Sequence, residues 1–176
     1  MYKRQDHAFD GQIALNHIKK QVSLGPRSIT MPETKALTHQ YIVNTLSKYT
    51  NRLISQPFEY NKLKGNNIWA TFPRENKSGT DMRFMLGAHW DTRPQSELDD
   101  NQKNRDVPSP GANDGGSGVA MLLEIARILS MKPAPVTVDL IFFDLEDLGN
   151  IDDLPFAIGA EQFVKKNSFY KPDKGI

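Results

Sequence analysis

The chain has 176 residues, with 22 Lys and Arg against 21 Asp and Glu, and its net charge of +1 removes the electrostatic footprint of a nucleic-acid binder. Its 38% hydrophobic and 24% charged residues suit a folded domain rather than a disordered chain. No apolar run reaches the roughly 18–20 residues of a membrane-spanning helix, and the absence of cysteine excludes disulfides, zinc fingers, iron–sulfur clusters and a thiol nucleophile, so any metal must be held by His, Asp and Glu.

Met1 to Gln5 read as the translated end of a sequencing adapter and are set aside, which leaves residues 6–176 as one domain. Residues 10–24 carry Ile13, Ile18 and Val22 at helical spacing and stop at Gly25-Pro26. Thr30-Met31-Pro32-Glu33 has capping-box spacing and opens a second helix ending near Tyr49. Residues 53–60 form a strand that Pro57 confines to an edge, and residues 67–72 alternate as a second strand. A polar turn over 75–81 leads to residues 83–89, whose apolar run Phe84-Met85-Leu86-Gly87-Ala88 suits a central strand buried on both faces. Residues 92–113 are a long polar loop, a length that is often functional. A helix over 115–130 buries Val119, Leu122, Leu123, Ala126 and Leu129, a further buried strand spans 136–143, and a last helix contains 161–166. Residues 171–174 are turn-forming, and Gly175-Ile176 stand where another strand would start. This strand–helix alternation predicts an α/β fold with a mixed, largely parallel sheet, helices on both faces and ligands at the carboxyl ends of the strands.

Three segments put ionisable residues at those ends. His89 and Asp91 are two apart in Gly87-Ala88-His89-Trp90-Asp91, so in extended geometry they share a side. A carboxylate there can fix the imidazole tautomer, or the two can form a plain strand-end hydrogen bond. Asp114, in PGANDGGSG over residues 110–118, is either a helix cap or a metal ligand. The glycines fail phosphate-loop spacing, and Ser117 lacks the strand before a nucleophile elbow. Glu146-Asp147 follow Phe142-Phe143-Asp144-Leu145, with no Arg or Lys nearby in sequence. They are an exposed acidic loop with Asp144, Asp152 and Asp153, or a site where one acid ligates a divalent cation while the other moves protons.

At these residues the chain resembles the M28 family of zinc-dependent exopeptidases, and within it the bacterial glutaminyl-peptide cyclotransferases. The similar strings are Gly87-Ala88-His89-Trp90-Asp91-Thr92-Arg93-Pro94, residues 110–127, residues 139–147, Leu24-Gly25-Pro26-Arg27 and Ile158-Gly159-Ala160-Glu161-Gln162. The resemblance implies a three-layer α/β/α domain whose C-terminal part is missing here, and zinc as cofactor. It implies that Asp114 and Asp147 are zinc ligands, that Glu146 is the general acid/base, and that Asp91 is the acid paired with His89, which becomes a ligand if a second zinc is bound. It also implies a cis peptide between Asp114 and Gly115. The third ligand, a histidine, belongs to the absent half, so the chain alone is expected to be inactive, with an unpaired sheet edge at residues 140–143. The implied substrates are peptide or protein N-termini. Trp90 and Glu146-Asp147 favour the cyclase over an aminopeptidase; a non-catalytic binding relative is the third reading. No nucleic acid and no membrane-spanning segment are expected, and a secreted or periplasmic location would follow from a signal peptide upstream.

Overall fold

The computed structural model describes residues 8–75 and 82–167. In chain order the elements are α1 (Gly11–Leu24), α2 (Pro32–Leu46), β1 (Leu53–Tyr60), β2 (Leu63–Phe72), β3 (Arg83–His89), α3 (Gly116–Met131), β4 (Thr137–Phe143) and α4 (Ile158–Lys166). The sheet runs β1-β2-β4-β3. Neighbours pair antiparallel except β3 and β4, which are parallel and joined by a crossover through α3.

Strand alternation builds a core on each face. Ile68, Ala70 and Phe72 of β2 and Val138, Leu140 and Phe142 of β4 meet Ile42 and Leu46 of α2 and Val119, Leu122 and Leu123 of α3. Trp69 and Ile141 point the other way, against Phe163 of α4. Helices on both faces make the expected α/β/α fold, and they explain why β4 reads as continuous apolar sequence. Its one charged residue, Asp139, is fully buried but accepts from Trp69 Nε1 at 2.9 Å and Arg83 Nε at 2.8 Å.

Four local expectations are corrected. Met31, not Thr30, is the N-cap of α2 and no side chain caps it; the Thr30 hydroxyl lies 3.0 Å from Ser28 Oγ instead. β3 is an edge among the described strands, with Phe84 55% and Leu86 40% exposed, and α3 meets it at Ala88 near its carboxyl end. There Gly118 permits the contact, since a Cβ would stand 2.9 Å from Ala88 Cβ. Conversely, residues 140–143 keep β2 and β3 on either side, so the unpaired edge falls on β3 rather than β4. Every described peptide bond is trans, including Asp114–Gly115. The chain turns there through Gly115 at φ 73°, a left-handed conformation open to glycine. Most of the predicted 75–81 turn and the strand start at 175–176 lie outside the described residues.

Candidate metal and acid–base site

The carboxyl ends of β3 and β4 and the start of α3 meet at one rim of the sheet. His89 closes β3, Asp114 precedes Gly115 at the N-cap of α3, and Glu146 and Asp147 follow β4. Asp91 links the strands: its carboxylate, 1% exposed, accepts from the backbone N–H of Glu146 at 3.1 Å and of Asp147 at 3.2 Å. His89 Nε2 lies 2.9 Å from Asp114 Oδ1. Its Nδ1 is 3.5 Å from Asp91 Oδ1, an ion-pair distance without hydrogen-bond alignment. The five residues singled out from sequence are therefore brought together, while Asp152 and Asp153 stand exposed in the loop beyond. Ser117 spends its hydroxyl on the Asn113 carbonyl at 2.7 Å, an ordinary first-turn contact.

A turn at Leu145 separates the acids after β4. Its φ of 55° is left-handed, strained for a branched side chain, and it is held by complete burial. Asp144, on one side of it, is buried and sits 2.7 Å from Lys35 Nζ. Glu146 and Asp147, on the other side, follow the turn back to the carboxylate of Asp91.

The charges shift one another. Burial pulls the His89 imidazole down, but Asp91 and Asp114 outweigh it and carry the group up to about 9. Burial and then the Asp91 charge raise Glu146, with partial relief from His89. Burial and then Asp114 raise Asp147, with relief from Arg93. Glu146 Oε2 is buried without a hydrogen-bond partner.

Sequence reasoning missed three cations. Arg93 Nη1 lies 3.2 Å from Asp147 Oδ1, so the acidic pair does have a basic neighbour. Its signal was present: Arg93 follows Asp91 by two, the same spacing that pairs His89 with Asp91. Lys35 answers Asp144 from α2. Arg27 is fully buried and donates to the carbonyls of Trp90 (2.9 Å), Pro110 (2.9 Å) and Gly111 (2.8 Å), pinning the β3 exit to the loop before α3. Burial lowers its guanidinium to about 10, against the charges of Asp91 and Asp114. An open cleft of about 240 Å3 is lined by Arg93, Glu97, Asp99, Asp114 and Asp147 among others.

Among the described residues, no three His, Asp or Glu side chains gather around a single point that could hold a metal. Asp114 is turned to His89, and Asp147 to Arg93. The donor types nonetheless suit zinc, which takes carboxylate oxygen and imidazole nitrogen. The charge of Asp114 helps to raise Asp147, a repulsion that a cation bound by Asp147 would relieve. The residues fit part of a zinc site and leave a further ligand to be supplied.

Comparison with known proteins bears on the fold and the family. The glutaminyl cyclase of Tannerella forsythia superposes with a TM-score of 0.79 at 33% identity, over 89% of this chain and 56% of that one. A Zn-dependent exopeptidase from Parabacteroides distasonis gives 0.78 at 32% identity, over 94% of this chain and 58% of that one. The aminopeptidase YwaD of Bacillus subtilis is 49% identical over 41 residues, 23% of this chain and 9% of that protein. The chain thus spans a little over half the length of these solved relatives. Residues 67–175, which contain the whole rim described above, match the family model of peptidase family M28, and the chain belongs to that family.

Proposed function

We propose that this chain carries the acid–base half of a zinc-dependent glutaminyl-peptide cyclotransferase, which closes an N-terminal glutamine of a peptide or protein to pyroglutamate and releases ammonia. The observation that carries it is Glu146: half-buried, with one carboxylate oxygen unpartnered, its proton affinity raised, and adjacent to Asp147. Support comes from a fold shared with solved glutaminyl cyclases along most of the chain.

Zinc held by Asp114, Asp147 and a ligand from outside the described residues would supply Lewis-acid polarisation of the γ-carboxamide carbonyl. The substrate's α-amine attacks that carbon, and Glu146 takes the amine proton. Glu146 then returns it to the departing nitrogen, so one C–N bond forms, one breaks and ammonia leaves. The nucleophile and carbonyl belong to one residue, so ring closure gains from proximity. Asp91 orients His89 and, through the N–H groups of Glu146 and Asp147, the turn that presents both acids. His89 is a ligand only where a second zinc is bound.

The aminopeptidase reading is favoured by one observation, the 49% identity to YwaD over 41 residues. There the same Glu146 would activate water against the first peptide bond. The two are separated by assaying zinc-loaded protein, extended to the length of its solved relatives, for ammonia release from Gln-peptides against amino-acid release from aminoacyl anilides. Ammonia release lost in E146Q is the expected result. Anilide cleavage alone overturns the cyclase reading, and turnover of neither by the extended protein overturns both.

A further inference from the structure

The Arg93 side chain forms more bonds across the rim than packing of a surface loop requires. Its Nε donates to Glu97 Oε1 at 2.6 Å, its Nη1 lies 3.2 Å from Asp147 Oδ1, and its Nη2 donates to the Gly149 carbonyl at 3.1 Å. The guanidinium also lies 5.9 Å from the centre of the Phe156 ring. One planar group thus bonds its own loop, the acid of the next strand's loop, and the backbone two residues further on. Arg93 itself lines the cleft that also takes in Asp114 and Asp147.

The fixed fork of the guanidinium matters here. Arg93 occupies one oxygen of Asp147, Oδ1, and at 15% side-chain exposure the carboxylate has little freedom to rotate. The other oxygen is left for a second partner. A carboxylate free to rotate can chelate a metal with both oxygens or swing away; one tethered through Oδ1 offers a single oxygen from a fixed place. Lysine cannot reproduce this, because an ammonium is a point charge without the fork that spans Glu97, Asp147 and Gly149 together.

We propose that Arg93 is a positioning residue of the zinc site, holding Asp147 by one oxygen so that it meets the metal through the other. This rests on the zinc reading of the preceding subsection, and the experiment keeps the two apart. Zinc affinity is measured by chelator competition for the protein extended to the length of its solved relatives, as wild type and as R93A, R93K and E97A, together with the d–d absorption of the cobalt-substituted forms. Hydrogen exchange of residues 94–109 and 148–156 is followed in the metal-free proteins. Wild type is expected to bind zinc, with R93A weaker by about 10–100-fold, the effect of losing an outer partner of a metal ligand. The R93A cobalt spectrum should lose intensity as Asp147 chelates with both oxygens, and both loops should exchange faster. R93K should be nearly as weak as R93A. E97A should free residues 94–109 alone and leave metal affinity and spectrum at wild-type values.

If R93A binds zinc as wild type does with the same cobalt spectrum, the proposal is overturned and the zinc reading stands. Full rescue by R93K would reduce Arg93 to a plain counter-charge, and an equal loss in E97A would trace the effect to loop order; either overturns positioning. An extended wild-type protein that binds neither metal overturns the zinc reading and this proposal with it.

Discussion

Replacing Lys35 by methionine tests how the β4 exit is held. Lys35 Nζ stands 2.7 Å from Asp144 Oδ1, with the two side chains 12% and 1% exposed. The ammonium also lies 5.4 Å from the centre of the Trp90 ring, so the pair is walled off from water on its inner side. At that separation and an effective dielectric of about 20, the Coulomb attraction is about 6 kcal/mol, most of it offset by desolvation of both ions. The K35M substitution would keep the apolar stem and strand the carboxylate. The two remaining donors to Asp144, the N–H groups of Asn66 and Leu145 at 2.8 Å each, do not neutralise it. The expected loss near pH 8 is about 3–5 kcal/mol, the usual result of removing one partner of a buried pair. Burial, only partly offset by Lys35, already lifts Asp144 to about 6. A raised carboxyl pKa means that the folded state binds the proton more tightly than the unfolded chain. Its contribution is most favourable below the ordinary carboxyl range and falls as pH rises through about 6. Without Lys35 that fall deepens and moves to higher pH. Urea midpoints of wild type and K35M should therefore lie close together at about pH 4.5 and diverge steadily to about pH 8. An equal gap at both ends would show that Lys35 acts by packing alone and refute the charge argument.

Other perturbations address the rim itself. R27M leaves the carbonyls of Trp90, Pro110 and Gly111 without their buried donor and should cost at least about 3 kcal/mol in denaturant unfolding, with only partial recovery in R27K. G115A places a Cβ at φ 73°, 2.9 Å from the Asp91 carbonyl and 3.0 Å from His89 Cε1; a melting temperature lower by the equivalent of about 1–3 kcal/mol is expected. D91N removes the charge that most raises His89, so the imidazole, followed by NMR in metal-free protein, should titrate lower than about 9, nearer the ordinary histidine range. The stability that the raised His89 provides is fully present below that ordinary range and lost as pH rises through about 9, and D91N should flatten this slope.

What was legible in sequence was whatever depends on local pattern. Pro57 marked β1 as an edge, and the apolar run 140–143 marked a strand covered on both faces. The ends of those runs located His89, Asp114, Glu146 and Asp147, because parallel strands deliver their loops to one rim. Phe84 and Leu86 misled for the same reason that residues 140–143 informed: an apolar run states what a strand is made of, not who its neighbour is. Arg27 and Lys35 were illegible because each meets its partner across more than sixty residues of chain. The left-handed turn at Leu145 carried no glycine to announce it. It is imposed by the opposite destinations of Asp144 and Glu146, a tertiary demand that no local propensity encodes.

Five carboxylates crowd this rim, and the structure assigns partners to four. Asp144 has Lys35, Asp147 has Arg93, Asp114 has His89, and Asp91 has two backbone N–H groups. Each of those contacts gives an oxygen of the carboxylate a partner. Glu146 is the exception: burial and the neighbouring Asp91 push its proton affinity up, and its Oε2 is buried with no hydrogen bond to hold it. Burial first, and then the charge of Asp91, make it a better proton acceptor than a free carboxylate, and the lack of a bond to Oε2 leaves that oxygen open to a reacting group. The cations that sequence reading overlooked therefore do more than offset negative charge. Arg93 and Lys35 engage Asp147 and Asp144, His89 engages Asp114 and backbone N–H groups engage Asp91, so Glu146 Oε2 is the carboxylate oxygen left buried without a bond, which is what the proposed proton transfer asks of it.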